Sequence, residues 1–226
     1  MTPMARLAFA FWTLLGIPAC TAQPGGGSPL GEAAAFGHVD RLRRLLQDGA
    51  SPDERDRSGF SALMTAARCG QLPAIRLLVE AGADPDLRSG RNGWTPLLHA
   101  IHKHQADAVV ELLRQGADAD AASVSGLTPL MMAAGYGQTD IVKILLGHGA
   151  DVWKVNEHGE SALSMAATGV TDIDDFTFGS CQLETVQALL DHEPALRRQV
   201  KLGGLDRLLL RLRCRSVLAL LESPGR

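Results

Sequence analysis

Basic charge is not in excess in this chain of 226 residues, whose formal net charge is −3. Mild acidity argues against general nucleic-acid binding, which needs a basic footprint to displace counterions. Aromatic residues are scarce, at 4%, with a single Tyr at position 136. No run of about 18 apolar residues follows the N-terminal segment, so no internal membrane span is expected. The short signatures of common enzymes are missing as well. Gly-x-Ser-x-Gly, His-Glu-x-x-His, Cys-x-x-Cys, a phosphate loop and a dinucleotide fingerprint are all absent, so neither catalysis nor a cofactor is expected.

The N-terminal residues read differently from the rest. Arg6 precedes an apolar run from Leu7 to Ile17, which is too short to span a bilayer, and Pro18, Ala19 and Cys20 follow. This is the layout of a secretory signal peptide over residues 1–22. Ile17-Pro18-Ala19-Cys20 resembles a bacterial lipobox, although Pro18 departs from the small residue usual there. Acylation of Cys20 would give a periplasm-facing lipoprotein held on a bacterial membrane, and cleavage after Ala22 would give a free periplasmic protein. Residues 23–30, rich in Gly, read as a flexible linker.

Self-similarity organises the remainder. Gly-Ala pairs end at Ala50, Ala83, Ala117 and Ala150, in steps of 33, 34 and 33 residues. The same beat carries Ser61-Ala62-Leu63, Thr95-Pro96-Leu97, Thr128-Pro129-Leu130 and Ser161-Ala162-Leu163. A third series is Leu45-Leu46, Leu77-Leu78, Leu112-Leu113 and Leu145-Leu146. A period of this length marks a repeat architecture in which stacked units bury their seams together. Ser or Thr at the second series suits a helix N-cap, and Pro just after it supplies a fixed φ where no donor is needed. Gly70 and Gly137 are placed to end the first helices in a left-handed conformation, and His104 stands at that position in the third repeat.

These motifs resemble the ankyrin repeat, most clearly from Gly126 through Leu145-Leu146-Gly-His-Gly-Ala150. The resemblance covers residues 31–222 and implies an all-α solenoid of helix-turn-helix units joined by β-turn loops. Units are expected at 31–53 (a capping half-repeat), 54–87, 88–121, 122–154, 155–200 and 203–222 (a degenerate cap). It also implies a non-catalytic binder of another protein, monomeric by itself, that uses turn tips and first-helix flanks. Projected onto this chain, that surface comprises Arg57, Phe60, Arg68, Arg91, Asn92, Trp94, His102, Lys103, Leu127, Tyr136, Glu157 and His158. Ser58, Cys69, Val124, Ser125 and Glu160 fall at equivalent positions. Phe60, Trp94 and Leu127 share one repeat position and are expected to form an apolar stripe, flanked by basic residues towards the first repeats. A partner with an apolar ridge and an acidic rim would suit it. The alternative is that the rings only shield the seam between turns.

Departures from the period mark further candidates. Ala167 and Val186 are 19 positions apart where Ala134 and Val142 are 8 apart, so the fifth repeat carries an insertion at 168–181 with three Asp and two Phe. Its spacing lacks the Gly and distal Glu of a calcium loop. Arg207, Arg211 and Arg215 line one face of a C-terminal helix, as a solvated face or a headgroup contact. His99, His102 and His104 lie on one helix without a fourth metal ligand nearby, and His99 reads as a packed core residue. Cys181 and Cys214 are candidates for a disulfide across neighbouring units, which would leave Cys69 a lone thiol. A binder of this kind in an envelope is expected to be an immunity protein against a periplasmic toxin, or an accessory factor for a periplasmic enzyme.

Overall fold

A computed structural model describes residues 27–90, 92–168, 182–198 and 215–222. Eleven α-helices occur among the described residues, together with one 3-10 helix at Pro194–Arg198, and no strand longer than an isolated bridge. The chain divides into two compact units, Met1–Asp118 and Ala119–Arg226.

The first unit holds three helix pairs: α1 (Pro29–Ala35) and α2 (Val39–Gln47), α3 (Ala62–Arg68) and α4 (Leu72–Glu80), α5 (Pro96–His102) and α6 (Ala106–Arg114). The shorter first helices, α1, α3 and α5, pack side by side, and the longer second helices, α2, α4 and α6, form a second row. Close approach is possible because the facing side chains are small. Ala33, Ala34, Ala66, Ala67 and Ala100 are fully buried, as are Leu42, Ile75, Leu78 and Leu112 in the seams. Each such Leu or Ile removed from water contributes about 1.5–3 kcal/mol. The second unit repeats the arrangement with α7 (Pro129–Gly135) and α8 (Thr139–Gly147), then α9 (Ala162–Thr168) and α10 (Leu183–His192). Helix α11 (Arg215–Glu222) packs on α10.

Helix starts follow from the Ser and Thr series. Ser61, Thr95 and Thr128 are extended, and each side chain accepts the backbone N–H three residues on. Ser161 and Ser164 cap each other reciprocally. Helix α1 begins at Pro29, inside the segment expected as linker, with Ser28 as its N-cap. The first unit therefore opens on a complete helix pair, earlier than the half-repeat expected from 31. The insertion at 168–181 lies outside the described residues beyond Thr168, as do Arg207 and Arg211. Arg215 opens α11 and is exposed.

Gly70 and Gly137 adopt φ of +68° and +70°, as their placement after the first helices requires. His104 takes the same conformation with φ +53°, alone among the described non-Gly residues. An L-residue there costs about 1–2 kcal/mol, against about 0.5–1 kcal/mol for the backbone entropy that Gly loses on folding. His104→Gly should therefore stabilise the chain by about 0.5 kcal/mol, a rise of about 2 °C in Tm. Thermal unfolding followed by circular dichroism checks it, and a lower Tm would mean that the His104 side chain contributes more than its backbone costs.

Two rows of polar contacts knit consecutive repeats. Gln71 reaches back from the start of α4 and donates to the Ala35 carbonyl at 3.1 Å, while Gln182 does the same to Gly135 at 2.7 Å. These carbonyls belong to a helix end that has no partner of its own. In the turns, Asp53 accepts the Asp84 N–H at 3.0 Å, Asp86 that of Asp118 at 3.0 Å, and Asp120 that of Asp151 at 3.0 Å. Arg76 of α4 pairs with the buried Glu111 of α6 at 2.9 Å, and Gln115 also donates to Glu111. That bond to Arg76, followed by the one to Gln115, holds the Glu111 carboxyl below its ordinary range.

Candidate protein-binding surface

The turns preceding the first helices are closed by side-chain oxygens that accept backbone N–H groups. Asp56 Oδ1 accepts the N–H groups of Ser58 and Phe60 at 2.8 and 2.9 Å, and the Asp56 N–H donates to the Phe60 carbonyl. In the next repeat Ser89 Oγ and Asn92 Oδ1 receive the Trp94 N–H at 3.0 and 3.3 Å. Phe60 and Trp94 are thus delivered, one residue ahead of the N-caps Ser61 and Thr95, onto the flank of the first helices. Both rings are half-buried.

They do not lie as a bare stripe. His99, one turn into α5, is inserted between them, with ring centroids 4.8 Å from Phe60 and 5.4 Å from Trp94. Trp94 also meets His102 at 5.2 Å, and the Arg68 guanidinium carbon stands 6.0 Å over the Phe60 ring. These are ordinary distances for aromatic and cation–π contacts. His99 is 4% exposed, and its Nε2 has no hydrogen-bond partner. Burial first, then the positive charge of Arg68 and the neighbouring His102, lowers its pKa to about 3. At neutral pH it is an uncharged ring. The Nε of Arg68 is likewise buried and without a partner.

The other expected residues distribute as follows. Arg57 and Ser58 are exposed at the turn tip, and Lys103 is half-buried at the C-cap of α5. Asn92 is exposed, but its Oδ1 is committed to the turn, receiving Ser89 Oγ at 2.8 Å. Arg91 lies outside the described residues. In the second unit Leu127 and Tyr136 are half-buried, with Val124, Ser125, Glu157, His158 and Glu160 exposed. The His158 and Glu160 N–H groups both donate to Asn156 Oδ1 at 2.9 Å, the same turn closure as at Asp56.

Cys69, expected to be a lone thiol, is disulfide-bonded, its partner lying outside the described residues. Repeat spacing ranks cysteines by equivalent position, whereas bonding depends on Cβ atoms within about 4.5 Å. Cys20, Cys181 and Cys214 also lie outside the described residues. Among the described residues no group of three or more His, Cys, Asp or Glu could hold a metal ion, and no helix is long and apolar enough to cross a membrane.

Sequence reasoning passed over Trp153 and Val155, which are exposed on the turn before α9. The signal was present. Trp153 occupies the position held by Asp53, Asp86 and Asp120 in the row of carboxylates, so that row ends where an exposed indole begins.

A family model described as ankyrin repeats, written as three copies, matches residues 10–89, 30–123, 82–156 and 98–201. The chain belongs to the ankyrin-repeat family. No curated protein matches it. Ankyrin repeats mediate protein–protein interaction, and members of the family are typically binding modules without catalysis. On this ankyrin chain the flank of α3 and α5, with Phe60, Trp94, His102 and Arg68 gathered around His99, combines aromatic rings with Arg, the residue types that dominate binding energy at protein interfaces.

Proposed function

We propose that this chain is a non-catalytic protein-binding module of a bacterial cell envelope, exported through its N-terminal leader and anchored through an acylated Cys20. Within that reading it serves as an immunity protein that occludes a periplasmic toxin. The observation that carries the binding reading is the clasp of Phe60 and Trp94 on His99, rimmed by Arg57, Arg68 and Lys103 on the turn and first-helix side of the first unit. A preformed surface of this kind loses little side-chain entropy on docking, since its rings are already held. The leader and lipobox motifs supply the location, and the resemblance of residues 17–20 to an acylation site supplies the anchor.

The test is affinity capture from the source organism's own envelope fraction, using the full chain beside Trp94→Ala and Arg57→Glu variants. Arg57 is exposed, so Arg57→Glu leaves packing intact while reversing a rim charge. Stoichiometric capture of one protein by the wild type, reduced about tenfold or more in each variant, is expected for a hot-spot loss of about 1.4 kcal/mol or more. If that protein were toxic when expressed alone in the periplasm, the immunity role would follow. Capture of a resident enzyme would favour an accessory role instead. No capture by wild type would sink the reading, as would recovery of the chain in the cytosolic fraction.

A further inference from the structure

Charge on the clasp is unbalanced in a particular way. Among the described residues none of Arg57, Arg68 and Lys103 forms an ion pair, whereas Arg41, Arg76 and Lys154 each have a carboxylate within 4 Å. The carboxylates of the neighbouring turns are meanwhile turned inward to the backbone. Asp56 closes its own turn through two N–H groups, and Asp53 and Asp86 each accept an N–H from the following repeat. The first-helix flank therefore presents cations whose natural counter-charges are occupied elsewhere.

Two further polar atoms on the same flank lack partners. Arg68 Nε and His99 Nε2 are both buried without a hydrogen bond, although buried polar groups are paired in the great majority of cases. His99 is more than nine-tenths buried, and its ring is held between Phe60 and Trp94, so its orientation is fixed. Charge-assisted bonds from Arg to a carboxylate are among the strongest available, and flanking rings that exclude water strengthen them.

We propose that Arg68, His99 and Lys103, framed by the Phe60 and Trp94 rings, form a receptor for the side-chain carboxylates of an acidic segment of the partner protein. This rests on the protein-binding reading above and names the chemistry of its partner. The Arg68 guanidinium, stacked on Phe60, takes the carboxylate. The His99 ring, in the tautomer that carries its proton on Nε2, donates to the carboxylate, and Lys103 and Arg57 attract the remainder of the segment. A protein segment is favoured over nucleic acid because the chain as a whole is mildly acidic, with a formal net charge of −3.

The probe is an octaglutamate peptide titrated into the isotope-labelled full chain at low salt, with the Trp94 indole and His99 ring signals followed by NMR. Octalysine and a single-stranded oligothymidylate serve as comparisons, and Trp94→Phe assigns the indole. The expected result is a saturable shift of both signals with octaglutamate, none with octalysine, and affinity lowered about tenfold in Arg68→Gln and by salt. Lys103→Gln, whose side chain caps no ring, should weaken binding as well while preserving the unliganded spectrum. No shift at Trp94 and His99, or equal binding by the Arg68→Gln and Lys103→Gln variants, would overturn the receptor. Equal shifts with oligothymidylate would overturn its selectivity for carboxylates. These failures differ from failure of the binding reading: a captured envelope protein whose capture survives Arg68→Gln refutes the receptor alone, and absence of any captured protein refutes the binding reading.

Discussion

Lowering the pH from 7 to 5 is expected to destabilise the wild-type chain by about 2 kcal/mol more than a His99→Leu variant. The folded-state pKa of His99 is about 3, depressed from an ordinary 6.5 chiefly because burial disfavours the imidazolium. The unfolded chain therefore takes up a proton near pH 6.5 that the folded chain refuses until about pH 3. Stability from this group is complete above the unfolded pKa and falls as pH drops through the window between the two values. The limiting slope is about 1.4 kcal/mol per pH unit. Arg68, His102, Phe60 and Trp94 surround the ring, and no carboxylate among the described residues is paired with it to favour its charged form.

Leu in place of His99 removes the titration and the unpartnered Nε2 together. At pH 7 two effects oppose each other in the variant: relief of a buried unsatisfied atom, about 1–3 kcal/mol, and loss of ring contacts with Phe60 and Trp94, about 0.5–1.5 kcal/mol each. Near-neutral stability at pH 7 is expected, with the variant ahead at pH 5. Urea unfolding at both pH values measures the difference. Two other groups act in separate windows. Glu111, whose folded pKa lies below 4.5, contributes stability that is present above that value and is lost only as pH falls further. Asp86 runs the opposite way: burial raises its pKa, so folding gains from its protonation as pH falls. Equal losses by wild type and His99→Leu between pH 7 and 5 would show that His99 is accessible to protons in the folded chain.

The repeat frame was legible because its signals are local and recur in phase. Ser61, Thr95 and Thr128 cap helices in the structure as their position before Ala62, Pro96 and Pro129 implies, and His104 takes the φ that its place after α5 requires. The clasp was only half legible. Phe60 and Trp94 stand out at one repeat position, but the residue that joins them, His99, is 39 positions from Phe60 and belongs to the following repeat. A linear pattern places side chains on a face and does not say which imidazole slides between two rings. The carboxylates Asp53, Asp86 and Asp120 keep the same period as the Gly-Ala pairs, and Gln71 follows directly on the helix-ending Gly70. They were readable as inter-repeat fasteners and were passed over because polar turn residues are ordinarily solvated. The Cys69 disulfide was not readable, since it depends on where the chain brings a second sulfur rather than on repeat phase.

One of those fasteners is expected to show itself through a glycine. Gly37, at φ +66° after α1, faces the Gln71 amide so closely that a Cβ there would sit 2.5 Å from Oε1 and 3.1 Å from Cδ. Gly49, at φ +94° after α2, has nothing within 4 Å of the same imaginary atom. Gly49→Ala should therefore cost only left-handed strain, about 1–2 kcal/mol. Gly37→Ala carries that strain and must also drive Gln71 off the Ala35 carbonyl, for a total of about 2–4 kcal/mol. Gln71→Ala alone should cost about 1 kcal/mol, because it leaves the Ala35 carbonyl without that donor. Gln71 makes no side-chain cap to its own helix, so this loss is not confounded by capping. The double variant Gly37→Ala, Gln71→Ala should then be about 1 kcal/mol more stable than the sum of the single losses, since the amide that the new methyl would displace is already gone. Urea unfolding of the four proteins reads the coupling directly. Strict additivity would mean that the new methyl at position 37 leaves the Gln71 bond to the Ala35 carbonyl undisturbed.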